Sequence, residues 1–184
     1  YLLRYDFIEL ADDPDVEWWT GPPHAQIEFG GPDTSPSGFA MYKNDVTLND
    51  GNTYDRILET HPKWVDNGYI VGYFPDVYIP KGGALLRAKV GFIEGAGGTP
   101  GEVFLTLYLF YHEDGGIKYY ILLDDEKINY YDPGGVHEYN IEITDEEWLG
   151  RTVVFAAWVD AGETSGQDWV AWTELKLYGR YVFD

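Results

Sequence analysis

The sequence contains no cysteine among its 184 residues and only one methionine. The absence of cysteine excludes a disulfide framework, a thiolate metal site and a cysteine nucleophile. No apolar run approaches the ~20 residues that a membrane-spanning helix needs, so we expect no membrane insertion. Lysine and arginine are also scarce, with 12 against 32 aspartates and glutamates, for a formal net charge of −20. Nucleic acid is therefore a poor partner for this acidic chain, since phosphate binding needs clustered basic side chains.

Helical periodicity is almost absent as well. The best helical candidate is the short stretch TDEEWLG at residues 144–150, in which Thr144 would be the N-cap and Glu147 would complete a capping box. Gly150 would end this turn. The rest of the chain is predicted to be β-structure, connections and turns.

Short apolar runs separated by turn signals fill the chain, and aromatic residues make up 17% of it. Aromatic and β-branched side chains fit pleated sheets, and short connections between strands favour antiparallel pairing. The runs are RYDFIEL, AQIEFG, SGFAMYK, DVTLND, GYIVGYF, DVYIP, ALLRAKVGFIEG, EVFLTLYLFYHE, GIKYYILLD, HEYNIEI, TVVFAAWVDA and WVAWTELKLYG. Pro75 is expected to separate GYIVGYF from DVYIP, and residues 114–116 are expected to close a hairpin. The sequence predicts an all-β, antiparallel β-sandwich, with residues 1–184 forming a single domain.

Several short matches in the second half carry a resemblance to a known family. They are Val90-Gly91, Val103-Phe104, Trp148-Leu149-Gly150, Asp168 and Trp172, in that order. Over roughly residues 69–178 the chain resembles the galactose-binding-like jelly-roll modules, carbohydrate-binding modules of the kind attached to bacterial extracellular glycosidases. The resemblance implies a sandwich of jelly-roll type that recognises a polysaccharide or other glycan without catalysis. It also implies an extracellular or cell-surface location, as part of a larger secreted or surface protein.

The segment DWVAWTELKLYG combines an aspartate and two tryptophans where a loop enters a strand. Strict alternation would place Trp169, Leu175 and Leu177 on the core face and Trp172 on the outer, partly polar face. Two interpretations of Trp172 remain open: it packs on the sandwich, or it contacts a ligand or partner. Asp168 is expected to accept hydrogen bonds from loop amides.

A glycan site needs aromatic faces for sugar C–H groups and polar side chains for hydroxyls. The loop THPKWVDNGY offers both kinds of group. The candidate ligand-binding residues are His61, Lys63, Trp64, Asp66, Asn67, Tyr130 and Trp172. The alternative is that these aromatic residues anchor loops to an aromatic-rich core.

Acidic residues near the N-terminus suggest a calcium site, because Ca²⁺ prefers oxygen ligands. Asp13, Asp15 and Glu17 have the one-three-five spacing of a calcium loop, but Trp18 stands where an EF-hand needs glycine. The resemblance implies structural calcium between the first and last strands. The candidate ligands are Glu9, Asp12, Asp13, Asp15 and Glu174; the alternative is a solvated acidic loop.

No catalytic signature is present. The four histidines are scattered, and neither a nucleophile-elbow nor a phosphate-loop pattern occurs. Glycoside hydrolysis needs two suitably spaced carboxylates, and the sequence offers none in a recognisable pattern. We expect no enzymatic activity.

Self-assembly is the alternative function. The apolar terminal segments YLLRYDFIEL and GRYVFD could each complete the sheet of a neighbouring copy. The chain would then be a structural subunit of an extracellular filament or surface layer, a homo-polymer built by strand exchange. The opposing possibility is that both termini pair within their own sheet.

Calcium binding can be tested through its effect on the stability of the fold. A ligand that binds only the folded state raises its stability, by about 2.7 kcal/mol at a hundredfold excess over the dissociation constant. We therefore expect a higher melting temperature in excess Ca²⁺ than in chelator, measured by scanning calorimetry. Equal melting temperatures in the two conditions would contradict a structural calcium ion.

Overall fold

Residues 1–95, 101–164, 166 and 168–182 are described by a computed structural model, and their regular structure is almost entirely β. One short helix, α1 (Phe7–Leu10), follows the first strand. The strands are, in chain order, β1 (Leu2–Asp6), β2 (Glu17–Gly21), β3 (Ala25–Ile27), β4 (Phe39–Thr47), β5 (Thr53–His61), β6 (Tyr69–Ile79), β7 (Ala84–Phe92), β8 (Glu102–Glu113), β9 (Gly116–Asn129), β10 (His137–Ile143), β11 (Arg151–Asp160) and β12 (Val170–Gly179).

The strands form two antiparallel sheets of six strands each. Sheet I has the order β10-β7-β12-β5-β4, with β1 also paired to β12, and sheet II has the order β3-β2-β6-β11-β8-β9. This arrangement confirms the predicted all-β antiparallel sandwich. In the part of the chain that the structure describes, no helix is long and apolar enough to cross a membrane.

The core lies between the sheets and follows from the alternation of side chains along each strand. On β8, every second residue from Val103 to Leu109 is fully buried in one apolar cluster. Sheet I faces this row with Leu86, Ala88 and Val90 of β7. Burial of these apolar side chains supplies the main favourable term for folding.

Both ends of the chain are paired within sheet I. Leu2 lies opposite Gly179 and Asp6 opposite Lys176, so β1 and the second half of β12 form one ladder. Beyond β12, the amide of Arg180 donates to the carbonyl of Gly83. One edge of β1 and the residue that follows β12 are therefore already paired inside the chain. Assembly through terminal strands finds no support in this sheet; Phe183 and Asp184 lie outside the described residues.

The helical prediction was wrong in position. Residues 144–150 form turns, in which Asp145, not Thr144, accepts the amide of Glu147 at 3.0 Å. The helix that does form begins inside RYDFIEL, which was predicted as a strand. Asp6 is its N-cap, and its Oδ1 accepts the amides of Ile8 and Glu9. A short acidic side chain at this position satisfies amides that a helix start leaves unpaired.

Three strand predictions also need correction. Pro75 does not separate two strands, because β6 runs through it as a single strand. The register with β11 shifts there, so that Phe74 lies opposite Phe155 and Val77 opposite Val153. A bulge tolerates proline, since it needs no ladder hydrogen bond at that point. Two runs predicted on either side of Asn44 are likewise one strand, β4, and β5 was not predicted at all.

A second bulge reverses the prediction for Trp172. The register between β12 and β7 shifts between Trp172 and Glu174, which inserts Thr173 as an extra residue. Alternation therefore changes phase: Val170 and Trp172 face the core before the bulge, and Leu175 and Leu177 face it afterwards. Trp172 is 1% exposed, and its indole N–H donates to Thr60 Oγ1 at 2.9 Å.

Trp172 is thus a core residue, and its assignment to the ligand-binding set was wrong. Trp169, which was predicted to enter the core, is only half-buried at the edge of the apolar cluster. The one-residue insertion exchanges the two roles.

Asp168 is a buried acid at the start of β12. It is 1% exposed, and its Oδ2 has no hydrogen-bond partner among the described residues. Burial raises the pKa of Asp168 to about 8; the nearby carboxylates of Glu102 and Asp160 add to the rise, and a hydrogen bond from the Glu102 backbone opposes it. The expected hydrogen bond to a backbone amide is therefore present, but it comes from β8 and not from the loop.

Replacement of the two tryptophans should distinguish the core residue from the edge residue. We expect Trp172→Ala to lower the free energy of unfolding by about 3–5 kcal/mol, because it leaves a large cavity and an unpaired Thr60. Trp169→Ala should cost clearly less, since its side chain is already half-exposed. Urea denaturation of the two variants measures both values. Equal costs, or a larger cost for Trp169→Ala, would contradict the phase change at the bulge.

The buried acid predicts a pH-dependent stability. Because the pKa of Asp168 is higher in the folded chain than the ordinary value of 3.8, the folded state binds the proton more tightly. Its contribution is fully present below about pH 4 and is lost as the pH rises towards about 8. Asp168→Asn cannot ionise and should gain stability relative to the parent across this window. Denaturation at pH 4, 6 and 8 tests this, and a parent–variant difference that does not change with pH would contradict it.

Candidate functional site

The outer face of sheet II carries an unusual concentration of rings. Directly opposed residues on antiparallel strands project from the same face, so the register identifies which side chains are neighbours. The set, which we call the aromatic trough, consists of Trp19, His24, Tyr69, Tyr73, Tyr108, Phe110, Tyr119 and Trp158. All except His24 lie on strands, and His24 lies in the short connection between β2 and β3.

Two small side chains lie beneath the rings of the trough. Val71 lies opposite Trp19 on one side and Trp158 on the other, and Ala156 lies between Tyr73 and Tyr108. Both small residues are fully buried, although neither belongs to the apolar cluster between the sheets. The larger neighbouring rings on the outer face therefore cover them.

Four rings form a continuous stack across one end of the trough. The ring centroids of Trp19 and His24 are 4.5 Å apart with an angle of 4° between their planes, and those of Tyr69 and Trp158 are 4.3 Å apart. His24 joins the two pairs, because its Nδ1 lies 2.7 Å from the Tyr69 hydroxyl. Gly21 makes room for this packing, since a Cβ there would run into the Tyr69 ring. The stack holds each ring in place and leaves Trp158 at its end.

Two adjoining depressions lie along the trough. The first has a volume of about 420 Å³ and the second about 290 Å³, and Tyr108 and Tyr119 line both. Asp15 and Glu17 add carboxylates to the first, and Trp158 borders the second. Together they provide a surface longer than either depression alone.

Two tyrosine hydroxyls of the trough, those of Tyr69 and Tyr108, have raised pKa values and are neutral at ordinary pH. Burial raises the pKa of Tyr69, and the nearby Tyr73 adds to the rise. Burial also raises the pKa of Tyr108, again with a contribution from Tyr73. A neutral hydroxyl both donates and accepts hydrogen bonds. The trough therefore combines apolar ring faces, hydroxyls that can donate or accept a hydrogen bond, and two carboxylates that accept. A polyhydroxylated ring needs groups of these kinds.

All five residues predicted from the loop THPKWVDNGY lie outside the trough. Trp64 is 44% exposed, whereas His61 is buried and holds the Pro62 carbonyl through Nδ1. Both line a separate cavity of about 290 Å³. Lys63 donates to the Pro22 carbonyl, while Asp66 and Asn67 are exposed. The loop thus brings His61 and Trp64 together but does not assemble all five residues into one site.

Tyr130 is half-buried beside Phe92 and Tyr131, and its hydroxyl accepts the amide of Gly95 at 3.3 Å. It belongs to neither the trough nor the smaller cavity. This placement matches the loop-anchor alternative.

The predicted calcium ligands are distributed among other partners. Glu9 lies 3.6 Å from Arg56, Asp12 accepts from the Tyr42 hydroxyl, and Glu174 lies 3.7 Å from Lys89. Asp13 accepts the amide of Asp15. Among the described residues, no group of three or more histidines, aspartates and glutamates is placed to hold a metal ion. Calcium binding by this chain stays a prediction.

The sequence interpretation missed the trough, although part of its signal was visible. Trp18 and Trp19 are in none of the predicted strand runs, but they form β2. Trp18 is buried with its indole N–H on the Ala11 carbonyl, and Trp19 faces the trough. On β8, Phe104, Tyr108 and Phe110 alternate with valine and leucine, and this pattern was used only to predict a strand.

Comparisons with known proteins give matches in structure only. No protein-family model matches the sequence, and no curated protein matches it either. Among solved structures, the carbohydrate-binding module TmCBM27, described as recognising mannan specifically, has a TM-score of 0.53 at 15% identity, and the match covers 98% of each chain.

Two further solved structures are similar over most of this chain. A carbohydrate-binding module of the β-sandwich superfamily, described as having promiscuous specificity, has a TM-score of 0.56 at 9% identity, and the match covers 96% of this chain and 61% of that one. The K1 adhesin domain of Lys-gingipain from Porphyromonas gingivalis W83 has a TM-score of 0.51 at 12% identity, with coverage of 89% and 91%. The chain has the antiparallel β-sandwich fold that is found in carbohydrate-binding modules.

Proposed function

We propose that the chain is a non-catalytic glycan-binding module and that the aromatic trough is its binding site. The observation that carries the proposal is the row of rings on the outer face of sheet II, where Tyr108 and Tyr119 line both depressions and two carboxylates line the first. Sugar rings have flat C–H faces that pack on aromatic rings and hydroxyls that need hydrogen-bonding partners. No other part of the described surface combines these features over a comparable length.

The shape of the trough favours a polymer over a small compact ligand. Its two depressions adjoin through Tyr108 and Tyr119 and are open to solvent along the sheet. A chain of sugar rings could lie across both, with successive rings in contact with different aromatic side chains. A single ring would leave most of the surface uncovered.

Context supports an extracellular role for such a module. The net charge of −20 keeps the chain soluble and disfavours nucleic acid, and a fold shared with carbohydrate-binding modules is compatible with attachment to a larger secreted or surface protein. Binding of this kind needs no bond to be broken, which agrees with the lack of a catalytic signature in the sequence.

Substitutions in the trough test the proposal directly. We expect Trp158→Ala to weaken binding to the best ligand of a polysaccharide panel by about 1–3 kcal/mol, the range for the loss of one aromatic stacking surface. Tyr108→Phe should have a smaller effect, because it removes one hydroxyl and keeps the ring. Affinity electrophoresis identifies the ligand, and titration calorimetry measures the loss.

The matched control is Tyr1→Ala, which removes an aromatic side chain that is 55% exposed on sheet I. It should bind like the parent. Melting temperatures of all variants separate lost binding from lost folding. The proposal fails if no polysaccharide in the panel binds, or if folded Trp158→Ala binds as tightly as the control.

A further inference from the structure

A second cavity lies in sheet I, where β4 begins and β5 ends. It has a volume of about 290 Å³ and shares no lining residue with either depression of the trough. The residues that matter for its chemistry are Asp33, Lys43, Glu59, His61, Trp64 and Trp169. They come from two strands, from the loops before and after them, and from the residue preceding β12.

The floor of this cavity contains a buried carboxylate oxygen that can still accept a hydrogen bond. Glu59 is 2% exposed, and its Oε2 lies 2.8 Å from Lys43 Nζ. The pair is close, but the angle of approach leaves Oε2 without a well-directed hydrogen-bond donor. Lys43 also donates to Asp33 at 3.0 Å. A buried carboxylate oxygen in this condition is costly for the fold unless something else donates to it.

His61 supplies a second acceptor. Its Nδ1 lies 2.7 Å from the Pro62 carbonyl, and because a carbonyl oxygen only accepts, Nδ1 carries the proton. Burial lowers the pKa of His61, which keeps the ring neutral. Nε2 is therefore an unprotonated acceptor, and no donor among the described residues is bonded to it.

Two indole rings flank these polar groups. Trp64 is 44% exposed, and its ring centroid is 5.7 Å from that of His61. Trp169 is half-buried and lines the same cavity. Exposed indoles beside buried polar groups offer apolar faces at the entrance and hydrogen-bonding groups at the floor.

The combined chemistry limits what fits. Lys43 is already paired with both Glu59 and Asp33, so no cation in the described lining remains free for an anionic ligand, whereas a neutral ligand that donates hydrogen bonds can meet the polar groups of the cavity. The ligand must donate to Glu59 and His61, and it must present an apolar face to indole. The volume is at the lower end of the roughly 300–1,000 Å³ that is usual for small-molecule sites. We propose that this cavity binds one uncharged sugar ring, such as a chain end, independently of the trough.

Indole resonances provide a direct test. The chain has seven tryptophans, each with one indole N–H signal that can be assigned by substitution in ¹⁵N-labelled protein. The probes are methyl β-D-glucopyranoside, methyl β-D-galactopyranoside and methyl α-D-mannopyranoside, each a single ring. We expect at least one of them to shift the Trp64 and Trp169 signals in a saturable way at millimolar concentration.

Two variants establish where the probe binds. Trp64→Ala, at an exposed position, should weaken the probe's affinity about tenfold, as judged by the Trp169 signal. Glu59→Gln keeps the size of the side chain but removes an acceptor and the ion pair with Lys43, and it should also weaken binding. Melting temperatures establish that each variant is folded.

Trp158→Ala is the matched control, because it removes an indole from the trough and leaves this cavity intact. The single-ring probes should bind it like the parent, even where it has lost polysaccharide binding. The proposal is overturned if no probe shifts the Trp64 and Trp169 signals up to about 50 mM, well above a dissociation constant of 1 mM. It is also overturned if the Trp169 signal of Trp64→Ala titrates with the same affinity as the parent's, or if the shifts disappear in Trp158→Ala. Polysaccharide binding at the trough is measured separately, so either site can fail alone.

Discussion

The pleat of sheet II determines both the core of the sandwich and the position of the aromatic trough. One strand sequence has to serve two surfaces, because successive side chains project to opposite faces. On β8 the inward row is aliphatic and builds the core, and the outward row contains Phe104, Tyr108 and Phe110. β11 repeats this division, with Phe155 and Val159 inward and Trp158 outward. The core holds the backbone of these strands rigid, and the rigid backbone fixes the spacing of the outward rings.

Rigidity of this kind favours binding, since little side-chain freedom remains to be lost when a ligand arrives. The stack from Trp19 through His24 and Tyr69 to Trp158 crosses three strands whose positions are set by backbone ladders. Loop-based sites lack this support. The cavity beside Trp64 differs from the trough, because it is built around a buried ion pair, Lys43 and Glu59, and not around a row of stacked rings.

The sequence was sufficient to predict the fold class, because alternation and turn chemistry are local properties. The hairpin turn after Glu113 forms as predicted, with Glu113 opposite Gly116. What failed were the features that break alternation. The bulge at Trp172 changes which residues face the core, and no local signal in WVAWTELKLYG marks it. Strand β5 was missed for a related reason: its last five residues, 57–61, are all buried, so they show no alternation.

The candidate site was harder to predict, because it depends on cross-strand neighbours. Trp19, Tyr73 and Trp158 are distant in sequence and adjoin only through the order β2-β6-β11. A sequence pattern can show that an aromatic residue lies on a strand. It does not show whether that residue faces outward, because this depends on the register of the strand and on where its bulges lie. The polar loop around Trp64 attracted the prediction because its functional groups are consecutive in the chain.

The pairing of Leu2 with Gly179 brings the two ends of the chain side by side on sheet I. The trough occupies the outer surface of the other sheet. Any polypeptide joined at either end would depart from the same place and from the rear of the sandwich. The ring-lined face of sheet II therefore stays clear of any such attachment.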